Sequence, residues 1–329
     1  MARRDIIAIG GSLGAVDAIG TLLGGLPADL AASLFIVVHV GMHGHDMLAG
    51  IFAARTPITV STAVDGEAIC RGHAYVAPAD RHLLVIDDVI RLGRGPRENM
   101  ARPAIDPLFR SVAVNHGSRV IAVVLTGMLN DGASGLADVK RCGGVTVVQN
   151  PADAKAAEMP LGALSGSDVD YRAPLADIPD LLIKLLGEEA DPRTPIPGDI
   201  RLEVELALGR VSDVAATAKI ARPVPLSCPA CGGVLSQIAR APPLRFRCQV
   251  GHAYTAEALA AVKEGSIDEA MRVALRIVEE RVVLTEKMAE DARESGRPAA
   301  AAVNEARARE SRAYAATLHK AIFNLVETK

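Results

Sequence analysis

The chain has 329 residues, half of them hydrophobic, and a formal charge of −3, enough for a substantial core and about two domains. It carries no long basic block, no Trp, and only four Tyr and five Phe. Neither the electrostatic footprint nor the stacking platforms of a nucleic-acid binder are present, which argues against nucleic acid as a partner.

The start, Met1-Ala2-Arg3-Arg4-Asp5, leads into an apolar run too short for a secretory signal, and Asp29, His39, Asp46 and Arg55 interrupt the stretches that follow. Neither export nor membrane insertion is expected there. Ile6–Ile9 reads as a strand, Ala15–Leu23 as a helix, Leu34–Val38 as a second strand and Met47–Ala54 as a helix. Short strands follow at Ala74–Val76, Leu83–Ile86 and Val89–Leu92, with Asp87-Asp88 as a hairpin turn between the last two. Asp106–Val114 is helical, Val120–Leu125 a strand, Gly135–Arg141 a helix, Val145–Val148 a strand and Ile178–Leu186 a closing helix. This order predicts an α/β fold for residues 1–190: a doubly wound, mainly parallel sheet with helices on both faces and a small antiparallel excursion near residues 74–92 at its edge.

Residues 191–226 read as a Pro-rich linker in which Ile200, Leu202, Val204 and Leu206 alternate like a half-buried strand. Residues 227–258 form a compact Cys-rich unit, and 259–329 a helical hairpin. Ser266 can cap the first helix, Ser295-Gly296-Arg297-Pro298 breaks it, and a second helix runs from about Ala300 to Leu325. A stripe including Ile267, Val273, Ile277 and Leu284 is expected to pack on another helix.

Three predicted strands end in reactive residues: Gly10-Gly11-Ser12 after the first, His39 after the second, and Thr126-Gly127-Met128-Leu129-Asn130-Asp131-Gly132 after a later one. Parallel strands bring all three to one edge, where a hydroxyl, an imidazole and a carboxylate can assemble a nucleophile, a base and an orienting acid. Each residue has a plainer reading. Ser12 fits a helix cap or a phosphate-holding turn, although residues 10–15 match neither the dinucleotide nor the phosphate-loop pattern. His39 fits a neutral histidine bonded at a strand end, and Asp131 an Asp-Gly turn capping the next helix. His43 and His45 follow closely, but Gly41 and Gly44 make that stretch a loop without fixed ligand geometry.

The five cysteines include Cys228, Cys231 and Cys248, which with His252 give the spacing C-x2-C-x16-C-x3-H. Two turns joined by a short sheet can bring three thiolates and an imidazole onto a tetrahedral, structural Zn²⁺ with no open position. Free thiols in a reduced module are the alternative. This cysteine usage fits a reducing, cytoplasmic location, and Cys70 and Cys142 read as ordinary core or sheet residues.

Taken together, Ile9-Gly10-Gly11-Ser12, Val38-His39, Gly72-His73-Ala74-Tyr75-Val76-Ala77-Pro78, Arg102-Pro103-Ala104-Ile105-Asp106-Pro107-Leu108-Phe109, Leu125–Gly132, Gln149-Asn150-Pro151 and Met159-Pro160 resemble the catalytic domain of the CheB-type protein-glutamate methylesterases of bacterial chemotaxis. The resemblance covers about residues 5–187. It implies that Ser12 is the nucleophile, His39 the base and Asp131 the third member, with the Met128 backbone N–H helping to hold the oxyanion. It also implies hydrolysis of γ-glutamyl methyl esters on chemoreceptor helices, with deamidation of glutamines in some members and no catalytic cofactor. The family usually carries Thr-Gly-Gly after its serine, where this chain has Leu13-Gly14-Ala15. Family members commonly carry an amino-terminal receiver domain; none is expected here, which leaves control to a separate regulatory protein. The Cys-rich unit resembles a zinc-ribbon-like extension of some stand-alone members. A catalytically inactive member that binds a signalling helix, and an esterase or amidase with another substrate, are the competing readings.

Overall fold

The computed structural model describes residues 3–40, 45–191, 194–210, 218, 220–239 and 243–327, so His43 lies outside the described residues. The chain divides into one unit over residues 1–259 and another over residues 260–329.

The first unit is built on a seven-stranded sheet. Its strands are β1 (Ile6–Gly11), β2 (Ser33–Val38), β3 (Thr59–Thr62), β4 (His73–Val76), β7 (Val120–Val124), β8 (Val145–Gln149) and β9 (Tyr171–Ala173). Their order is β3-β4-β2-β1-β7-β8-β9, with every neighbouring pair parallel. β1, β2, β7 and β8 are buried from end to end, which is why they read as unbroken apolar runs. Alternate residues face opposite sides. Ile7, Ile9, Ile36 and Val123 pack with helices α1 (Ala15–Gly24), α2 (His45–Ala53) and α6 (Ile178–Gly187). Ile6, Ala8, Phe35 and Val124 pack with α3 (Ile105–His116), α4 (Ala133–Arg141) and α5 (Glu158–Gly166).

The antiparallel excursion is smaller than expected. Only β5 (His82–Ile86) and β6 (Val89–Gly93) pair antiparallel, as a separate two-stranded sheet, whereas His73–Val76 joins the parallel one. The hairpin turn expected at Asp87-Asp88 forms, and both residues take positive φ in it.

Residues 198–208 correct the strand expected there: they form helix α7 (Gly198–Leu208). Ile200, Glu203, Val204 and Ala207 recur at helical spacing among its buried residues, which also include Leu206. The apparent alternation hides this face because one of its members is a charged residue. Gly209, at φ 90°, closes the helix in the left-handed conformation.

The Cys-rich segment is an antiparallel four-stranded sheet of β10 (Ala221–Ser227), β11 (Val234–Ile238), β12 (Arg245–Cys248) and β13 (Ala253–Thr255). Helix α8 (Ala256–Glu294) begins directly after it, well ahead of Ser266. Ser266 is therefore not a cap: its hydroxyl donates to the Val262 carbonyl at 2.9 Å inside the helix.

In the second unit the remainder of α8 is followed by the break at Gly296 and by α9 (Pro298–Glu327). The unit's buried residues are mostly small, Ala289, Ala292, Ala301, Ala308 and Ser311, joined by Thr285, Asn304 and Ile322. Ion pairs Arg293–Glu305 and Arg312–Glu286 link the two helices. Of the stripe, Ile267, Val273, Ile277 and Leu284 stay exposed, whereas Met271, Ala274, Val278 and Val282 are half-buried. Among the described residues no helix is long and apolar enough to cross a membrane.

Candidate active site

The parallel register delivers the three chain ends to one place. Gly11 pairs with Val38. Beyond them the His39 N–H donates to the Gly11 carbonyl at 3.1 Å, and the Ser12 N–H to the Thr126 carbonyl at 3.0 Å. Ser12, His39 and the 126–132 loop thus leave the sheet side by side at its carboxyl edge, the usual position for an α/β site.

His39 Nε2 lies 2.9 Å from Asp131 Oδ2. Among the described residues Nε2 makes no well-aligned hydrogen bond, so the two groups form a close pair rather than a straight hydrogen bond. Asp131 is 2 % exposed. Its Oδ2 accepts the Ile105 N–H at 2.7 Å, and its Oδ1 accepts the Asn99 amide at 2.9 Å and the Asp106 N–H at 3.3 Å. Burial pushes this carboxyl up, but the His39 ring, the Ile105 N–H and the Asn99 amide outweigh it and hold Asp131 below the usual carboxylate range.

Asp131 does not cap the helix that follows it. It caps α3, through Ile105 and Asp106, while Asp106 Oδ1 accepts the Gly132 and Gly135 N–H groups at 3.1 and 2.6 Å at the start of α4. The two helices cap each other with crossed carboxylates, each seated at a positive helix end. Burial and the neighbouring Asp131 charge push the Asp106 carboxyl up. The Asn99 amide donates to both carboxylates, at 3.1 Å to Asp106 Oδ2 and 2.9 Å to Asp131 Oδ1.

Ser12 is held by neighbours that sequence patterning passed over. Thr126 Oγ1 donates to the Leu13 carbonyl at 2.9 Å, and the Thr126 N–H donates to Gln149 Oε1 at 2.9 Å. The Ser12 N–H is engaged by Thr126, whereas the N–H groups of Leu13 and Met128 have no partner among the described residues. The side chains of Leu13 and Met128 are each 50 % exposed.

The second predicted cluster also assembles. Ligand atoms of Cys228, Cys231, Cys248 and His252 all lie within 4.8 Å of one another. The Cys231 and Cys248 sulfurs are 3.7 Å apart, and Cys248 Sγ is 3.5 Å from His252 Nδ1. Tetrahedral zinc with its usual bond lengths needs S–S separations of about 3.8 Å and S–N of about 3.5 Å, so the four residues fit a metal ion. Cys142 is buried, as expected of a core residue, and burial pushes its thiol up to about 12, while Cys70 is exposed.

A parallel α/β sheet with a serine, a histidine and a buried carboxylate at its carboxyl edge defines the hydrolase class. Residues 7–182 match the family model for CheB methylesterase, and the chain belongs to that family. The crystal structure of the Thermotoga maritima CheB methylesterase catalytic domain superposes with a TM-score of 0.54 at 30% identity, covering 56% of this chain and all of that one. A Leptospira interrogans relative is 37% identical over 182 residues, 55% of this chain and 94% of that protein. A protein-glutamate methylesterase/protein-glutamine glutaminase of Anaeromyxobacter dehalogenans is 36% identical over 184 residues, 56% of this chain and 54% of its own length. One of that name from Yersinia pseudotuberculosis is 39% identical over 174 residues, 52% of this chain and 50% of its own length. The chain thus spans about half the length of these last two relatives.

Proposed function

We propose that the protein is a cytoplasmic serine hydrolase that removes methyl esters from glutamyl side chains of chemoreceptor signalling helices, releasing methanol, with glutamine deamidation as a second outcome of the same chemistry. The observation that carries this reading is the pairing of His39 with a buried, anionic Asp131 beside Ser12 at one sheet edge.

In this reading His39 Nε2 faces Asp131, which leaves Nδ1 to take the Ser12 proton as the hydroxyl attacks the ester carbonyl. The Asp131 charge stabilises the imidazolium so formed. The oxyanion is held by the N–H groups of Leu13 and Met128. His39 then returns the proton to the leaving methanol and activates water against the glutamyl-Ser12 ester. Leu13, Met128, Leu129 and Met100 are exposed apolar side chains on the segments that carry the site, a surface suited to an apolar stripe on a helical protein substrate. Cys228, Cys231, Cys248 and His252 would hold zinc with a full set of protein ligands, and it would supply folding energy rather than chemistry.

Methanol release from a helical peptide bearing a glutamate γ-methyl ester tests the reading. Ser12→Ala and His39→Ala should each remove nearly all turnover while leaving the fold intact by circular dichroism. Undiminished release in both variants overturns the assignment.

A further inference from the structure

The Cys-rich sheet does more than follow the catalytic fold in sequence: it is bonded to the catalytic carboxylate. β13 begins one residue after His252 and draws residues 97–99 alongside it. The Ala253 N–H donates to the Arg97 carbonyl at 3.4 Å, and the Asn99 N–H to the Ala253 carbonyl at 2.9 Å. The Thr255 N–H then donates to Asn99 Oδ1 at 2.9 Å. With its oxygen fixed, the Asn99 amide can point its nitrogen only one way, at Asp131 Oδ1 and Asp106 Oδ2. Asn99 sits at φ 48° and is nearly buried, in the left-handed region that Asn adopts more readily than other side chains. The residue beside Asp131 is gripped from the same place. Thr255 Oγ1 donates to Asn130 Oδ1 at 2.5 Å, and Asn130 Nδ2 donates to Glu257 Oε2 at 2.7 Å.

We infer that Asn99 is a positioning residue for Asp131, and that the Cys228, Cys231, Cys248 and His252 centre controls the esterase through it, because metal ligation fixes the β12–β13 turn from which Thr255 holds Asn99. The inference rests on the proposed hydrolase reading and adds its regulation. Ligation ties His252 to Cys248 across the Gln249–Gly251 turn, where the Cys248 N–H also donates to the His252 carbonyl at 3.0 Å. Without the ion that turn is free to open, β13 loosens, and the Asn99 amide is no longer aimed. Asp131 then keeps its charge and the Ile105 and Asp106 N–H groups, but loses the amide that bridges it to Asp106 and fixes its Oδ1. Partners of this kind, one bond removed from the reacting group, commonly carry about 10–100-fold in activity.

The test compares the full-length wild type, zinc-loaded and zinc-stripped under reducing conditions, with Asn99→Ala and the isosteric Asn99→Asp. Two readouts are taken: steady-state methanol release from the glutamate γ-methyl ester peptide, and hydrogen exchange of the peptide spanning residues 97–106. Zinc removal from wild type should lower kcat about 10–100-fold at nearly constant KM and raise exchange over 97–106. Both Asn99 variants should show the lowered kcat with zinc bound, and stripping zinc should change it no further. A zinc-stripped wild type with unchanged kcat, or unchanged exchange over 97–106, overturns the inference even if the Asn99 variants fail to fold. Absence of turnover in zinc-loaded wild type brings it down with the esterase reading, and that case is recognised because exchange over 97–106 still responds to zinc.

Discussion

Gly127 shows how tightly the chain closes around Ser12. A Cβ at that position would meet Ser12 Cβ at 2.9 Å and the Met159 sulfur at 2.8 Å. Gly127→Ala must therefore push the nucleophile or its supporting helix aside, at about 1–3 kcal/mol of stability. It should lower kcat at least tenfold, because reacting groups tolerate little displacement. Denaturant unfolding and methanol release measure the two effects, and wild-type values in both would show that the loop has slack. At the same scale, Asp131→Asn keeps the shape but removes the charge that stabilises the imidazolium. A loss of about 10⁴-fold in kcat is expected, with circular dichroism unchanged. The grouping of Ser12, His39 and Asp131 was legible in the sequence because each follows an apolar run, Asp131 at six residues' distance. Asn99 was not: nothing in Arg97-Glu98-Asn99-Met100 distinguishes it from a loop residue, and its value comes from a strand more than a hundred and fifty positions away.

The crossed capping of α3 and α4 joins secondary structure to the site. Asp106→Ala leaves the N–H groups of Gly132 and Gly135 without an acceptor in a buried place, and each such group costs about 1–3 kcal/mol. Relief of the Asp106–Asp131 repulsion offsets part of this, so a net loss of about 2 kcal/mol is expected as a lower urea midpoint with an unchanged slope. An unchanged midpoint would mean that water replaces the carboxylate. Elements dominated by apolar residues were easiest to read: β1 and β7 are apolar throughout, and β2 and β8 carry only Ser33, Thr146 and Gln149 besides. β3 and β9 are short strands with partly exposed residues, so no apolar run marks them. α5 was hidden by Pro160, Gly162 and Gly166, whose local preference is overridden by the burial of Met159 and Ala163. α7 was misread because its buried Glu203 is polar in sequence and becomes a core residue only once Arg245 and Arg247 reach it.

Within residues 1–259, the Cys-rich sheet and the catalytic fold meet through a dry ionic network. Arg110 and Arg247 are each 1 % exposed. Arg110 bonds Glu98 at 2.7 Å, Arg247 bonds Glu98 at 3.0 Å and Glu203 at 2.8 Å, and Arg245 bonds Glu203 through both terminal nitrogens at 2.8 and 3.0 Å. Such a network locates parts more than it stabilises them, but removing one member leaves buried charge unpaired at about 3–5 kcal/mol. Glu203→Gln should show a loss of that size in urea unfolding. Burial pushes both glutamates up, but Arg110 and Arg247 on Glu98, and Arg110, Arg245 and Arg247 on Glu203, outweigh it and hold both carboxyls below their ordinary value. Between the folded and ordinary values the unfolded chain binds more protons, so this stabilisation is complete above the ordinary glutamate pKa of about 4.3 and is lost as pH falls toward the folded values. The part of the urea midpoint owed to these two glutamates should be level on the neutral side and fall steeply in acid, and Glu203→Gln should make that acid fall shallower. An acid fall as steep in Glu203→Gln as in wild type would place the titration elsewhere.

The most direct measurement is the site at which a fluorophosphonate becomes covalently attached, read by mass spectrometry of the zinc-loaded full chain. A single adduct on Ser12, absent in Ser12→Ala and strongly slowed in His39→Ala, is the predicted result. An adduct on another residue, or a folded wild type that gains none, would contradict the assignment of Ser12 as an activated nucleophile.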